Sequence, residues 1–138
     1  MRSAARQLAF QLIFERLFVK ETYTFDEEFF ASLKKEEDRA FAKELVVKFE
    51  ENRKEIEEIV SSKLIGYALD RVYKVDLALI YMAVAEIKYI STPYKIAINE
   101  AVELSKQYST DKSSRFVNGV LSAIIKGQND WSNNCFKT

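Results

Sequence analysis

Residues 92–126 read T-P-Y-K-I-A-I-N-E-A-V-E-L-S-K-Q-Y-S-T-D-K-S-S-R-F-V-N-G-V-L-S-A-I-I-K, and this stretch decides the fold. It predicts a helical hairpin. Thr92 is placed to cap the first helix, with Pro93 at the first helical position, where a missing N–H does no harm. Tyr94, Ala97, Ile98, Ala101, Leu104 and Tyr108 recur at helical spacing and form one wide apolar stripe. Lys95, Asn99, Glu103 and Lys106 fall on the other face. The polar link 109–113 offers several caps. Val117, Val120, Leu121 and Ile124 then form a second stripe, and Gly127 follows it, the residue type common just past a helix end.

The stretch before the hairpin is the most apolar of the chain. Leu77 to Ala85 is unbroken and lies between Asp76 and Glu86. A helix over 75–90 would be apolar all round, which predicts a central, buried position. Its Met and Tyr residues suit packing better than ligand binding. Asp76 at its start favours the helix dipole. Gly66 interrupts the preceding pattern, and 67–74 reads as a compact turn with one helical turn near Asp70.

Further upstream, 39–63 reads as one long helix with Phe41, Leu45, Phe49, Ile56, Ile59 and Val60 inward. Its outer face is dense in Glu and Lys, with Glu44–Lys48 and Glu50–Lys54 at ion-pair spacing. Each such pair contributes only about 0.2–0.5 kcal/mol, so this face reads as solvated. Thr24-Phe25-Asp26-Glu27 is a capping box opening a short helix to about residue 33. The first helix spans 3–18, with Ser3 as cap. Leu8, Phe10, Leu12, Ile13 and Leu17 leave it apolar on more than one side, and Arg2, Arg6, Gln7 and Arg16 are expected on its exposed edge, with Phe14 close by. Residues 128–138 form a polar tail in which Trp131 and Phe136 are the docking candidates.

The chain has 138 residues, 48% of them apolar, with three Gly and one Pro. That is enough for one domain with a core, and so few breakers favour helices over a sandwich or barrel. The net charge is zero, but it is unevenly spread. Residues 1–20 carry four Arg/Lys against one Glu, residues 21–60 thirteen acids against seven bases, and residues 91–126 five bases against three acids. Such a two-toned surface suits a basic or RNA partner on one side only; ordinary charge scatter is the alternative. There is one Cys, Cys135, and no His. A disulfide framework and the usual zinc sites are therefore excluded, and no Ser or Cys nucleophile has a His base. The start M-R-S-A-A-R-Q has no signal-peptide core, and no run is long enough to span a bilayer. These features predict a cytoplasmic helical protein without a catalytic constellation, metal or cofactor.

P-Y-K-I-A-I-N-E-A-V-E-L followed by S-x-R-F-V-N-G-V-L resembles the C-terminal signature of the NusB family of bacterial transcription antitermination factors. Dense similarity covers about a quarter of the chain. The resemblance implies an all-α bundle of six to seven helices, two three-helix sub-bundles packed together with helix one shared, over 1–127 as a single domain. It implies binding to boxA RNA during ribosomal RNA transcription, pairing with NusE, a small-subunit ribosomal protein, and indirect action on the RNA polymerase elongation complex. Transferred by position, the RNA side comprises Arg2, Arg6, Phe14, Lys112, Arg115 and Phe116, with Lys95 extending the basic rim. Asp76, and more weakly Glu86, match the surface that meets NusE. Arg and Lys at helix starts suit phosphates, and an exposed aromatic can stack an unpaired base.

Two departures matter. Family members often carry a run of arginines before the first helix, where this chain has Arg2 and Arg6. The link before R-F-V-N-G usually holds an acidic pair, here Asp111-Lys112. The first predicts weaker RNA affinity without the partner; the second offsets part of that loss. Two other readings stand beside this one. One is the RNA-binding accessory domain of an rRNA cytosine methyltransferase, which would need a following cofactor domain that is not found before Thr138. The other is a structural helical homodimer without RNA affinity.

Overall fold

The structure is a computed structural model and describes residues 2–18, 27–64, 66 and 68–127. Among the described residues there are six α-helices: α1 (Ser3–Arg16), α2 (Glu36–Glu51), α3 (Arg53–Ser61), α4 (Lys74–Tyr89), α5 (Tyr94–Tyr108) and α6 (Asp111–Gly127). Two 3₁₀ turns, Glu27–Phe30 and Leu69–Arg71, complete the described elements, which include no strand. The expected capping box at Thr24 lies largely outside the described residues.

Helix α4 is the axis. Twelve consecutive residues, Asp76 to Ile87, are buried, and α4 packs against all five other helices. Around it α1 packs on α2 and α5 on α6, while α3 touches α2, α4 and α6. The reason is in its composition: a helix with apolar side chains at every angle is stable only when covered all round. Phe49 of α2 stacks on Tyr81 of α4 at 5.7 Å, within a core that also takes Ile13 of α1, Ala101 of α5 and Leu121 of α6. Burying each large apolar side chain contributes about 1.5–3 kcal/mol.

Three local expectations are corrected. The stretch 39–63 is two helices. Asn52 leaves helical geometry at φ −120°, and its side-chain Nδ2 donates to the Lys48 carbonyl at 2.9 Å, closing α2 before α3 starts. The chain can therefore bend around α4. Ser3 is already helical, with Arg2 at the cap position, and Pro93 rather than Thr92 stands at the cap position of α5, where no side chain bonds the first turn. Thr92 is drawn into the preceding helix end instead. Ser91 takes a left-handed φ of 66°, and the Thr92 N–H donates to the Glu86 carbonyl at 3.2 Å. A left-handed residue just past a helix is the usual way to satisfy its last carbonyls.

The link between α5 and α6 is stitched by hydroxyls. Ser105 and Ser114 bond across the hairpin at 2.8 Å, and Ser109 and Ser113 at 2.6 Å. Ser113 also donates to Asp76 at 3.1 Å, tying the first turn of α6 to the first turn of α4. These short bonds fix the part of α6 that carries Lys112, Arg115 and Phe116.

Candidate nucleic-acid interface

Helix α6 presents the clearest surface set. Lys112 and Arg115 are exposed, one turn apart, and Phe116 is half-buried beside them. The apolar stripe of Val117, Val120, Leu121 and Ile124 is held against the core, so the opposite face must carry the residues between. Phe116 stands between two hollows. One, of about 320 Å³, is lined by Gly66, Arg71, Val72, Tyr73, Asp76 and Phe116. The other, of about 280 Å³, runs between α6 and the end of α3 past Arg115, Phe116, Lys63 and Leu64.

Asp76 is 5% exposed and lines the first hollow. Burial pushes its carboxyl above the usual carboxylate range, and the Ser113 hydrogen bond only partly opposes this. Its Oδ1 has no hydrogen-bond partner among the described residues. It can accept a hydrogen bond from a donor that enters the hollow. Tyr73 at the rim is 71% exposed, a large aromatic that sequence reasoning did not single out. It precedes α4 in an irregular stretch, so no periodicity marked it.

The N-terminal helix departs from expectation. Arg6 and Arg16 were expected on the exposed edge of α1, and both are buried, at 6% and 1% exposure. Arg6 reaches inward, and its Nε lies 3.0 Å from each carboxylate oxygen of Glu86 on α4. Its guanidinium also comes within 3.8 Å of Glu100 on α5. Burial works against the charge on Arg6, but the hydrogen bond and charge of Glu86 outweigh it and hold its pKa above the ordinary value. Glu86 is 1% exposed. Arg6 and Glu86 are thus each other's partners in the core, and neither stands on a surface open to RNA or protein. A buried charge persists where a counter-charge and hydrogen bonds meet it, and here three helices supply them. Arg16 likewise pairs with Glu50 of α2. Glu50 therefore serves α1, and the ion pairs along α2 and α3 include Lys48–Glu51 and Arg53–Glu57, both at 3.8 Å.

The remaining expected residues are scattered. Arg2 is exposed, with its guanidinium 4.5 Å from the ring centre of Phe41. Phe14 is half-buried between Phe10 and Phe18, at ring distances of 6.2 and 5.3 Å, and packs on the core. Phe18 is the more open ring of that row at 63% exposure. Lys95 is exposed beside a groove of about 410 Å³ between α5 and α6, lined also by Ile98, Val102 and Asn118. The structure thus brings Arg115 and Phe116 together, joins Phe116 to Asp76 through one hollow, and moves Arg6 and Glu86 inside. Among the described residues, no helix is long and apolar enough to cross a membrane.

Comparison with known proteins gives this surface a context. The sequence profile of the NusB family matches residues 3–126. The chain belongs to the NusB family. It is 46% identical over 88 residues to the transcription antitermination protein NusB of Nostoc punctiforme, covering 64% of this chain and 41% of that relative. It is 46% identical over 90 residues to NusB of Finegoldia magna, covering 64% of this chain and 66% of the relative. The matched stretch therefore spans about two fifths to two thirds of these relatives. Among solved structures, the fold is similar to T. maritima NusB, with a TM-score of 0.85 and 25% identity, covering 100% of this chain and 98% of that one. It is also similar to a chain in a crystal structure of antitermination factors NusB and NusE with double-stranded RNA, with a TM-score of 0.80 and 28% identity, covering 92% and 97% of the two chains. The six helices are therefore those of a NusB bundle, and the α5–α6 hairpin read from residues 92–126 is its C-terminal part.

Proposed function

We propose that this chain is a transcription antitermination factor that pairs with a NusE-type ribosomal protein and binds boxA RNA during ribosomal RNA transcription. The observation that carries the reading is the family match over residues 3–126, joined to a fold like that of the NusB–NusE–RNA structure. The surface is consistent with it. Lys112 and Arg115 suit phosphates, and Phe116 between them and the Asp76 hollow suits a base edge or ring. Asp76 suits a basic partner protein, since its charge is only partly compensated within the fold. The factor acts by binding and catalyses no reaction, reaching the RNA polymerase elongation complex through its partners. Residues 1–127 act as the binding domain and 128–138 as a polar extension. Arg2 and Lys95 lie on its basic rim, while Arg6 and Glu86 support it from within.

The test is assembly. Mixed with a NusE-type protein and boxA RNA, the chain gives a ternary complex in analytical ultracentrifugation, and a scrambled RNA does not. A homodimer that ignores both components would overturn the reading.

A further inference from the structure

Gly119 has no reason to be glycine within the fold. It sits in the middle of α6, exposed, and a Cβ built there meets nothing within 4 Å. No close contact or unusual backbone angle requires it. A glycine inside a helix costs about 1 kcal/mol relative to alanine. What the missing side chain does provide is access, because an outside molecule can approach the α6 backbone closely at this point.

The surroundings indicate which molecule. Gly119 opens into the groove of about 280 Å³ between α6 and the end of α3. Arg115 and Phe116 stand one turn before it, Val120 lies alongside, and Lys63 and Leu64 line the opposite wall. Among the described residues, no carboxylate lines this groove. The Lys63 ammonium lies 2.6 Å from where a Cβ on Gly127 would stand, so it reaches over the C-terminal end of α6. The groove thus has a cation near each end, an aromatic edge and a bare backbone between.

We infer that single-stranded RNA passes along this groove, its sugar–phosphate backbone crossing Gly119 between Arg115 and Lys63. Alternating positive charge and an aromatic edge fit a nucleic-acid strand better than a peptide. The inference rests on the proposed RNA-binding function and extends the path beyond Lys112, Arg115 and Phe116 to two residues, Gly119 and Lys63.

The experiment is a titration of boxA RNA against the full chain with its NusE-type partner, comparing wild type, Gly119→Ala, Gly119→Leu and Lys63→Glu. Gly119→Ala melts about 3 °C higher, because it only removes a helix glycine, and yet binds RNA more weakly. Gly119→Leu weakens binding further, about tenfold, as a bulkier side chain holds the strand off. Lys63→Glu weakens binding and lowers the salt dependence by about one phosphate's worth. If wild type binds RNA and the Gly119 variants bind equally well, the groove is not on the path, while the proposed function stands. If the variants lose the partner protein but not RNA, the groove is a protein surface and the inference fails. If wild type binds no RNA, the inference falls with the function on which it rests.

Discussion

Replacing Arg6 by Ala tests how the two halves of the bundle are joined. Arg6 projects from α1 into the seam between α4 and α5. Its Nε is 3.0 Å from both oxygens of Glu86, and Glu100 approaches to 3.8 Å. The side chains of Arg6 and Glu86 are 7% and 1% exposed, so water cannot take over either role. Truncation leaves Glu86 as a buried carboxylate without its cation, with a second carboxylate nearby. Breaking such a pair from one side costs about 3–5 kcal/mol. For a domain of ordinary stability, about 5–15 kcal/mol, that is a large fraction of the whole. Urea unfolding followed by circular dichroism at 222 nm reads it directly, as a lower midpoint with an unchanged slope. Arg6→Lys falls between the two, since a point charge cannot reproduce the fork. The double variant Arg6→Met/Glu86→Leu recovers most of the loss, because removing both charges removes the desolvation problem too. A loss of less than about 1 kcal/mol for Arg6→Ala would mean the pair behaves as a surface ion pair and would refute the argument.

Three further outcomes follow from single side chains. Tyr81 is fully buried and its hydroxyl has no hydrogen-bond partner among the described residues; Tyr81→Phe is therefore neutral or stabilising by about 1 kcal/mol in the same urea assay. Ser91 holds a left-handed φ of 66° at the end of α4, so Ser91→Gly stabilises by about 1 kcal/mol, read as a higher melting temperature. The Asp76 carboxyl is raised by burial, so the folded state loses stability as pH rises from the unfolded pKa through the folded one. Asp76→Asn is accordingly the more stable protein near pH 7, and its advantage vanishes below about pH 4, where both states carry the proton. Denaturation at the two pH values checks this, and the same variant binds the NusE-type partner more weakly.

The parts of the fold that could be read from the sequence are those set by local pattern. The α5–α6 hairpin follows from spacing in residues 92–126, and the burial of α4 follows from an apolar run with no polar face. The division of 39–63 was hidden because one apolar stripe continues across Asn52. Only the Asn itself, which can bond backward to a carbonyl, hinted at the break. The fate of Arg6 was out of reach for a different reason. Its partner Glu86 is eighty positions away, and an Arg on a helix gives no local sign of whether its counter-charge is solvent or a buried acid. The same holds for Arg16 and Glu50. On α6 the reading was partial: the link expected over 109–113 is shorter, because α6 already starts at Asp111 and takes in Lys112, while Arg115 is exposed on the helix. Phe116 is half-buried, as a residue bordering the apolar stripe should be. Gly119 was visible in R-F-V-N-G, but only the surrounding space showed that packing does not need it.

The most direct measurement is a fluorescence-anisotropy titration of labelled boxA RNA at two salt concentrations, with and without the NusE-type protein. Binding is expected to be tight with the partner, weaker alone, weakened by salt, and lost on scrambling the RNA. Equal affinity for boxA and scrambled RNA, or no binding with the partner present, would contradict it.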